Sequence, residues 1–140
     1  MRKKTEIRRF TAYCFSRLNL RPIPIHLKNY MALIDPDGEY CFGCYVYDDK
    51  PAFESEIFIA YGLPKFNVMS NIAHEIWHYY QNTEGLITQP HSYEDAEKDA
   101  EKGSACLLAD WLRRRGILDV QNEISLDCYI KQHRKTWHLL

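Results

Sequence analysis

His74-Glu75-Ile76-Trp77-His78 lies inside a longer stretch, residues 65–82 (KFNVMSNIAHEIWHYYQN), whose reading decides the fold. Residues four apart on an α-helix are displaced by about 40° and about 6 Å, so two imidazoles at this spacing can reach one tetrahedral metal from the same side. Glu75 sits about 100° further round than His74, off the metal but close enough to take a proton from water that the metal activates. Zinc-dependent hydrolysis of peptide bonds needs this arrangement.

Periodicity supports the helix. Met69, Ile72, Ala73, Ile76 and Tyr80 recur at the helical period and form a core stripe, while Asn71, His74, Glu75, His78 and Asn82 occupy roughly the opposite side. A polar face on an otherwise apolar helix predicts a cleft beside a central helix. The helix should stop near Thr83-Glu84-Gly85, and Gly62-Leu63-Pro64 should break whatever precedes it.

A zinc held by two histidines needs a third protein ligand and an open position. A further helix running to about Arg115 offers Glu94, Asp95, Glu97, Asp99 and Glu101, and the loop before it offers His91. Ser92 and Asp95 resemble a capping box at that helix's start. Ala96, Ala100, Gly103 and Leu107 make a narrow small-residue stripe, and Glu97 and Glu101 lie on the adjoining face. Close packing of the stripe on the active helix would bring Glu97 to the metal. Glu101, one turn on, would accept the ring N–H of a ligating histidine. Glu94 and His91 remain alternatives for the third ligand, and an ordinary solvated face with pairs such as Glu94 and Lys98 would also explain the acidic run.

The motif followed by Glu97-Lys98-Asp99-Ala100-Glu101-Lys102-Gly103-Ser104-Ala105 resembles the gluzincin pattern, and within it the small ImmA/IrrE-type metallopeptidases. That resemblance implies His74, His78 and Glu97 as zinc ligands, Glu75 as general base and Glu101 in the place of an orienting aspartate. It implies a protein or peptide substrate, commonly a repressor protein in that family. Asp99, Glu101 and Gly103 depart from the family's glutamate, aspartate and phenylalanine. SprT-like enzymes share the order of elements but use a third histidine, for which His91 is the nearby choice.

The rest of the chain fits an α+β fold in one domain of 140 residues. An amphipathic helix is expected over 5–19, with Ile7, Phe10, Cys14 and Leu18 on one face. Two prolines, Pro22 and Pro24, delay and confine the strand that follows to an edge. Asp35-Pro36-Asp37-Gly38 is a turn, and strands are expected over 39–47 and 53–61. Three short strands joined by turns predict a small antiparallel sheet. The strand just before the active helix would be the edge on which an extended substrate pairs. A last helix over about 121–137 carries Leu126, Tyr129, Ile130, His133 and Trp137.

Composition excludes several functions. The net charge is −1 and the basic residues are dispersed apart from 2–4 and 113–115, which gives no footprint for nucleic acid. No apolar run reaches membrane-spanning length, and the basic start leads into Ile7-Arg8-Arg9-Phe10, so a cytoplasmic protein is expected. Five cysteines, an odd number, suit a reducing compartment, and Cys41-Phe42-Gly43-Cys44 lacks the second pair that a four-sulfur zinc site needs. His91, Tyr129 and His133 are candidates to stabilise an oxyanion. The rival readings are a catalytically silent regulatory or interaction module and a zinc hydrolase acting on a non-peptide amide. Substrate and oligomeric state leave no mark in the sequence.

Overall fold

The computed structural model describes residues 2–48, 50–85, 93–116 and 125–131. Helix α1 spans Lys3–Arg17, and strand β1 spans Ile25–Lys28 after the two prolines. Strands β2 (Leu33–Ile34) and β3 (Tyr40–Cys41) form a hairpin, and β4 (Gly43–Val46) and β5 (Glu56–Ala60) follow. Helices α2 (Lys65–Thr83) and α3 (Tyr93–Arg114) come next, and residues 126–131 are helical.

The hairpin turn falls at Asp35–Gly38 because Asp35 caps it. Its carboxylate accepts the backbone N–H groups of Asp37 and Glu39, each at 2.9 Å, and Gly38 takes the positive φ of 84° that a Cβ would oppose. The main sheet is not the antiparallel meander expected from the turns. Its order is β1-β5-β4, with β1 parallel to β5 and β4 antiparallel to it, while β2 and β3 make a separate two-stranded sheet. A parallel neighbour needs a long crossover, and the excursion between Lys28 and Glu56, hairpin included, supplies one. Strand β5 is therefore central, and β1 and β4 are the edges.

Ile57 and Ile59 of β5 are fully buried on the inner face of the sheet, against which α2 packs. They join Ile7, Phe10, Met69, Ile72, Ile76, Trp77 and Leu107 in one apolar cluster that links α1, the sheet, α2 and α3. Each fully buried side chain of this size contributes about 1.5–3 kcal/mol relative to exposure. Helix α2 is buried on more of its circumference than its predicted stripe, since Val68, Trp77, Tyr79 and Gln81 are buried as well. An electrostatic clamp closes the same bundle: buried Glu6 of α1 pairs with Lys65 at 2.6 Å and with Arg115 at 3.7 Å. The hydrogen bond from Lys65 holds its carboxyl below the usual range against the opposing effect of burial.

The α2–α3 crossing is set by Trp77 and Gly103. A Cβ on Gly103 would lie 2.2 Å from Cδ2 of Trp77, so the indole rests directly on the glycine backbone. Overpacking of this kind costs about 1–3 kcal/mol, whereas alanine's helix propensity returns only about 1 kcal/mol. Gly103→Ala should therefore lower the midpoint of urea unfolding, and an equal or higher midpoint would contradict this account of the crossing.

Candidate metal centre

Helix α2 presents His74 and His78 one turn apart, and α3, drawn in by Gly103, presents Glu97 opposite them. Nε2 of His78 lies 3.1 Å from Nε2 of His74 and 2.7 Å from Glu97 Oε1, and Glu97 Oε2 lies 3.2 Å from His74 Nε2. Among the described residues these three side chains form the one cluster of metal-ligating type whose donor atoms all approach one another this closely. The two imidazole nitrogens stand at about the 3.3 Å that separates ligands of a tetrahedral ion bound at about 2.0–2.1 Å, whereas Glu97 turns a different oxygen to each of them.

The protonation pattern is fixed by the neighbours. Gln81 donates from Nε2 to the carbonyl of Ala96 at 2.9 Å and to Asp99 Oδ2 at 2.8 Å, which turns its Oε1 to His78 Nδ1 at 2.8 Å. His78 Nδ1 therefore carries a proton, and in the neutral ring Nε2 faces Glu97 with a lone pair. Without a cation, lone pairs of His78, His74 and Glu97 converge. Shared protons relieve part of this: burial lowers the pKa of His78, but the hydrogen bond to Glu97 and the charge of Glu75 outweigh it, so the net shift is upward. Hydrogen bonds from His74 and His78 hold the Glu97 carboxyl far below the usual range. A divalent ion can satisfy all three groups at once, which one proton cannot.

Glu75 is 7 % exposed and packs under strand β4. Burial raises its pKa, against the lowering effect of both histidines and of the backbone N–H of Tyr45 that it accepts. Gly43 makes room for it: a Cβ there would lie 3.0 Å from Glu75 Cγ and 3.1 Å from Ile59 Cδ1. The glycine inside Cys41-Phe42-Gly43-Cys44 thus serves the glutamate. Burial raises the pKa of both thiols, that of Cys44 to about 11, and neither joins the metal-ligating cluster.

Glu101 and Glu94 do not come to the centre. Both are exposed on α3, and the ring N–H of His78 goes to Gln81 instead of Glu101. A full turn of helix carries Glu101 about 6 Å beyond Glu97, past the reach of the histidines. The anchoring carboxylate is Asp99, buried, which accepts from Trp77 Nε1 at 2.8 Å, from Gln81, and from Tyr129 Oη at 2.6 Å. Tyr129 is committed to that network and does not line the cleft. His91, Ser92 and His133 lie outside the described residues. Sequence reasoning missed Gln81, although a glutamine three residues after His78 on one helix is a signal for such a bond. It also missed Tyr93, which lines the cleft from the first turn of α3. Asn82 was read as part of the polar face, and it donates to Tyr45 Oη at 2.7 Å, tying α2 to β4.

No family model matches the chain, and no curated protein or solved structure matches it. Among the described residues no helix is long and apolar enough to cross a membrane.

Gln81→Leu removes the acceptor that sets the His78 tautomer while keeping a buried side chain of similar size. It should weaken zinc binding by about 10–100-fold, the usual effect of losing a ligand's orienting partner. Competition titration with a chromophoric chelator reads this directly, and unchanged affinity would show that Gln81 does not orient the ring.

Proposed function

We propose that the chain is a zinc-dependent metallopeptidase of gluzincin type, similar to the ImmA/IrrE group, acting on an intracellular protein or peptide. His74, His78 and Glu97 would hold the ion and Glu75 would be the general base. The observation that carries this reading is the convergence of three acceptor atoms beside a buried carboxylate that is no part of the cluster. When bound, zinc supplies a Lewis acid that lowers the pKa of water and polarises a carbonyl.

Glu75 does the proton work. Buried beside the cluster and not part of it, it is placed to take a proton from water and pass it to the departing amine. The Tyr45 N–H and the bare backbone at Gly43 fix where its carboxylate can sit. Strand β4, not the strand before α2, is the edge beside these groups, because β5 is paired on both sides. An extended substrate would therefore pair with β4 and lay its scissile bond along the cleft.

Purified protein should bind about one zinc per chain, and His78→Ala or Glu97→Ala should remove most of it in elemental analysis. A folded wild type that cannot be loaded would end the metalloenzyme reading.

Glu75→Gln tests the base separately. Glutamine can still accept the Tyr45 N–H, and it removes a buried charge that burial disfavours. Zinc content should persist and the metal-free protein should melt no lower than wild type, while turnover falls by at least about 10²-fold. Loss of zinc with unchanged activity per bound ion would make Glu75 structural.

A further inference from the structure

Among the described residues, helices pack on one face of the main sheet. On the other face, Phe58 of β5 and Cys44 and Val46 of β4 line a groove of about 710 Å³, with Leu33 of the hairpin opposite and Ile34 exposed at its rim. This groove runs into the cleft of about 560 Å³ that holds His74, Glu75, His78 and Glu97, since Asp35, Pro36, Cys44 and Val46 line both.

Strand β4 divides the two by the alternation of its side chains. Gly43 and Tyr45 pair with the inward-facing Ile59 and Ile57, and Cys44 pairs with the outward-facing Phe58. A peptide adding to the free edge of β4 would alternate in the same way, one set of side chains toward the cleft and the other toward the groove, spaced about 6.8 Å apart. Large apolar side chains crowd this region. Tyr30, Met31, Ile34, Tyr40, Phe42 and Tyr47 are all exposed, which is a concentration that marks a binding surface.

Charge selects among occupants. Asp35, Asp37 and Asp48 line the cleft beyond Glu75 and Glu97, with no lysine or arginine there among the described residues, and in the groove Asp35 faces one cation, Lys28. A second copy of the chain would bring the same carboxylates against these. A cationic segment complements them.

We propose that this groove and the β4 edge together bind an extended, cationic peptide segment with large apolar side chains at alternate positions. That such a segment is the substrate rests on the hydrolase reading above.

The probe is a fluorescein-labelled ten-residue peptide in which leucine and serine alternate between terminal pairs of arginine, titrated against zinc-loaded Glu75→Gln protein by anisotropy. It should bind at least about tenfold more tightly than the same peptide with glutamate for arginine or with serine for leucine, the difference one good anchor makes. Added salt should weaken it. Leu33→Gln and Val46→Gln in the same background should each lose about tenfold in affinity at unchanged zinc content and circular dichroism. Ile34→Ser, at an exposed rim position, reports on the groove should either of those variants fail to fold. Equal binding of the three peptides, or groove variants that bind as well as their parent, overturns the proposal. So does a result in which the variants abolish self-association in sedimentation and leave peptide affinity unchanged. Hydrolysis by wild type with a KM indifferent to the groove variants refutes the groove alone. Groove-dependent binding by a zinc-loaded wild type that hydrolyses none of the peptides supports the groove and counts against the hydrolase reading.

Discussion

The contact between Trp77 and Gly103 is the one on which the rest of the molecule depends. An indole laid on bare helix backbone lets α2 and α3 approach more closely than any side chain at position 103 would permit. That approach brings Glu97 within 2.7 Å of His78 and 3.2 Å of His74. The same indole donates to Asp99, and Asp99 receives Gln81, which in turn sets the His78 ring. Packing and polar alignment are thus two results of one crossing.

A buried carboxylate beside two histidines and a second carboxylate is an electrostatic liability in an isolated chain. Three features contain it. Glu97 takes protons or a cation from the histidines' side, the Tyr45 N–H meets Glu75, and Gly43 leaves no side chain to displace it. Strand β4 therefore has two tasks, one toward Glu75 through its backbone and one toward the outer groove through Cys44 and Val46. Asn82, bonded to the Tyr45 hydroxyl, couples the end of α2 to that strand. The Asn82 bond and the Tyr45 N–H together fix the β4 edge relative to Glu75.

Local chemistry wrote much of this into the sequence. The four-residue spacing of His74 and His78, the apolar stripe Met69, Ile72, Ala73, Ile76 and Tyr80, the Asp35–Gly38 turn and the edge placement of β1 after two prolines all follow from short-range geometry, and so were legible. Glu97 could be ranked ahead of Glu94 because helical faces are also a local property. The sheet topology could not be read. Turn residues say where the chain reverses, not which strands meet afterwards, so the parallel pairing of β1 with β5 and the central place of β5 appeared only in the fold. For the same reason helical spacing points to Glu101 as the acceptor of a histidine N–H, whereas His78 meets Gln81. A helical face tells which residues share a side, but the depth of the crossing decides which of them reach across it. What the sequence by itself determined was a set of candidate groups, two histidines and several carboxylates placed by helical spacing. Which of them meet, and which edge lies open beside them, was decided by tertiary packing, because those distances depend on residues far apart in the chain.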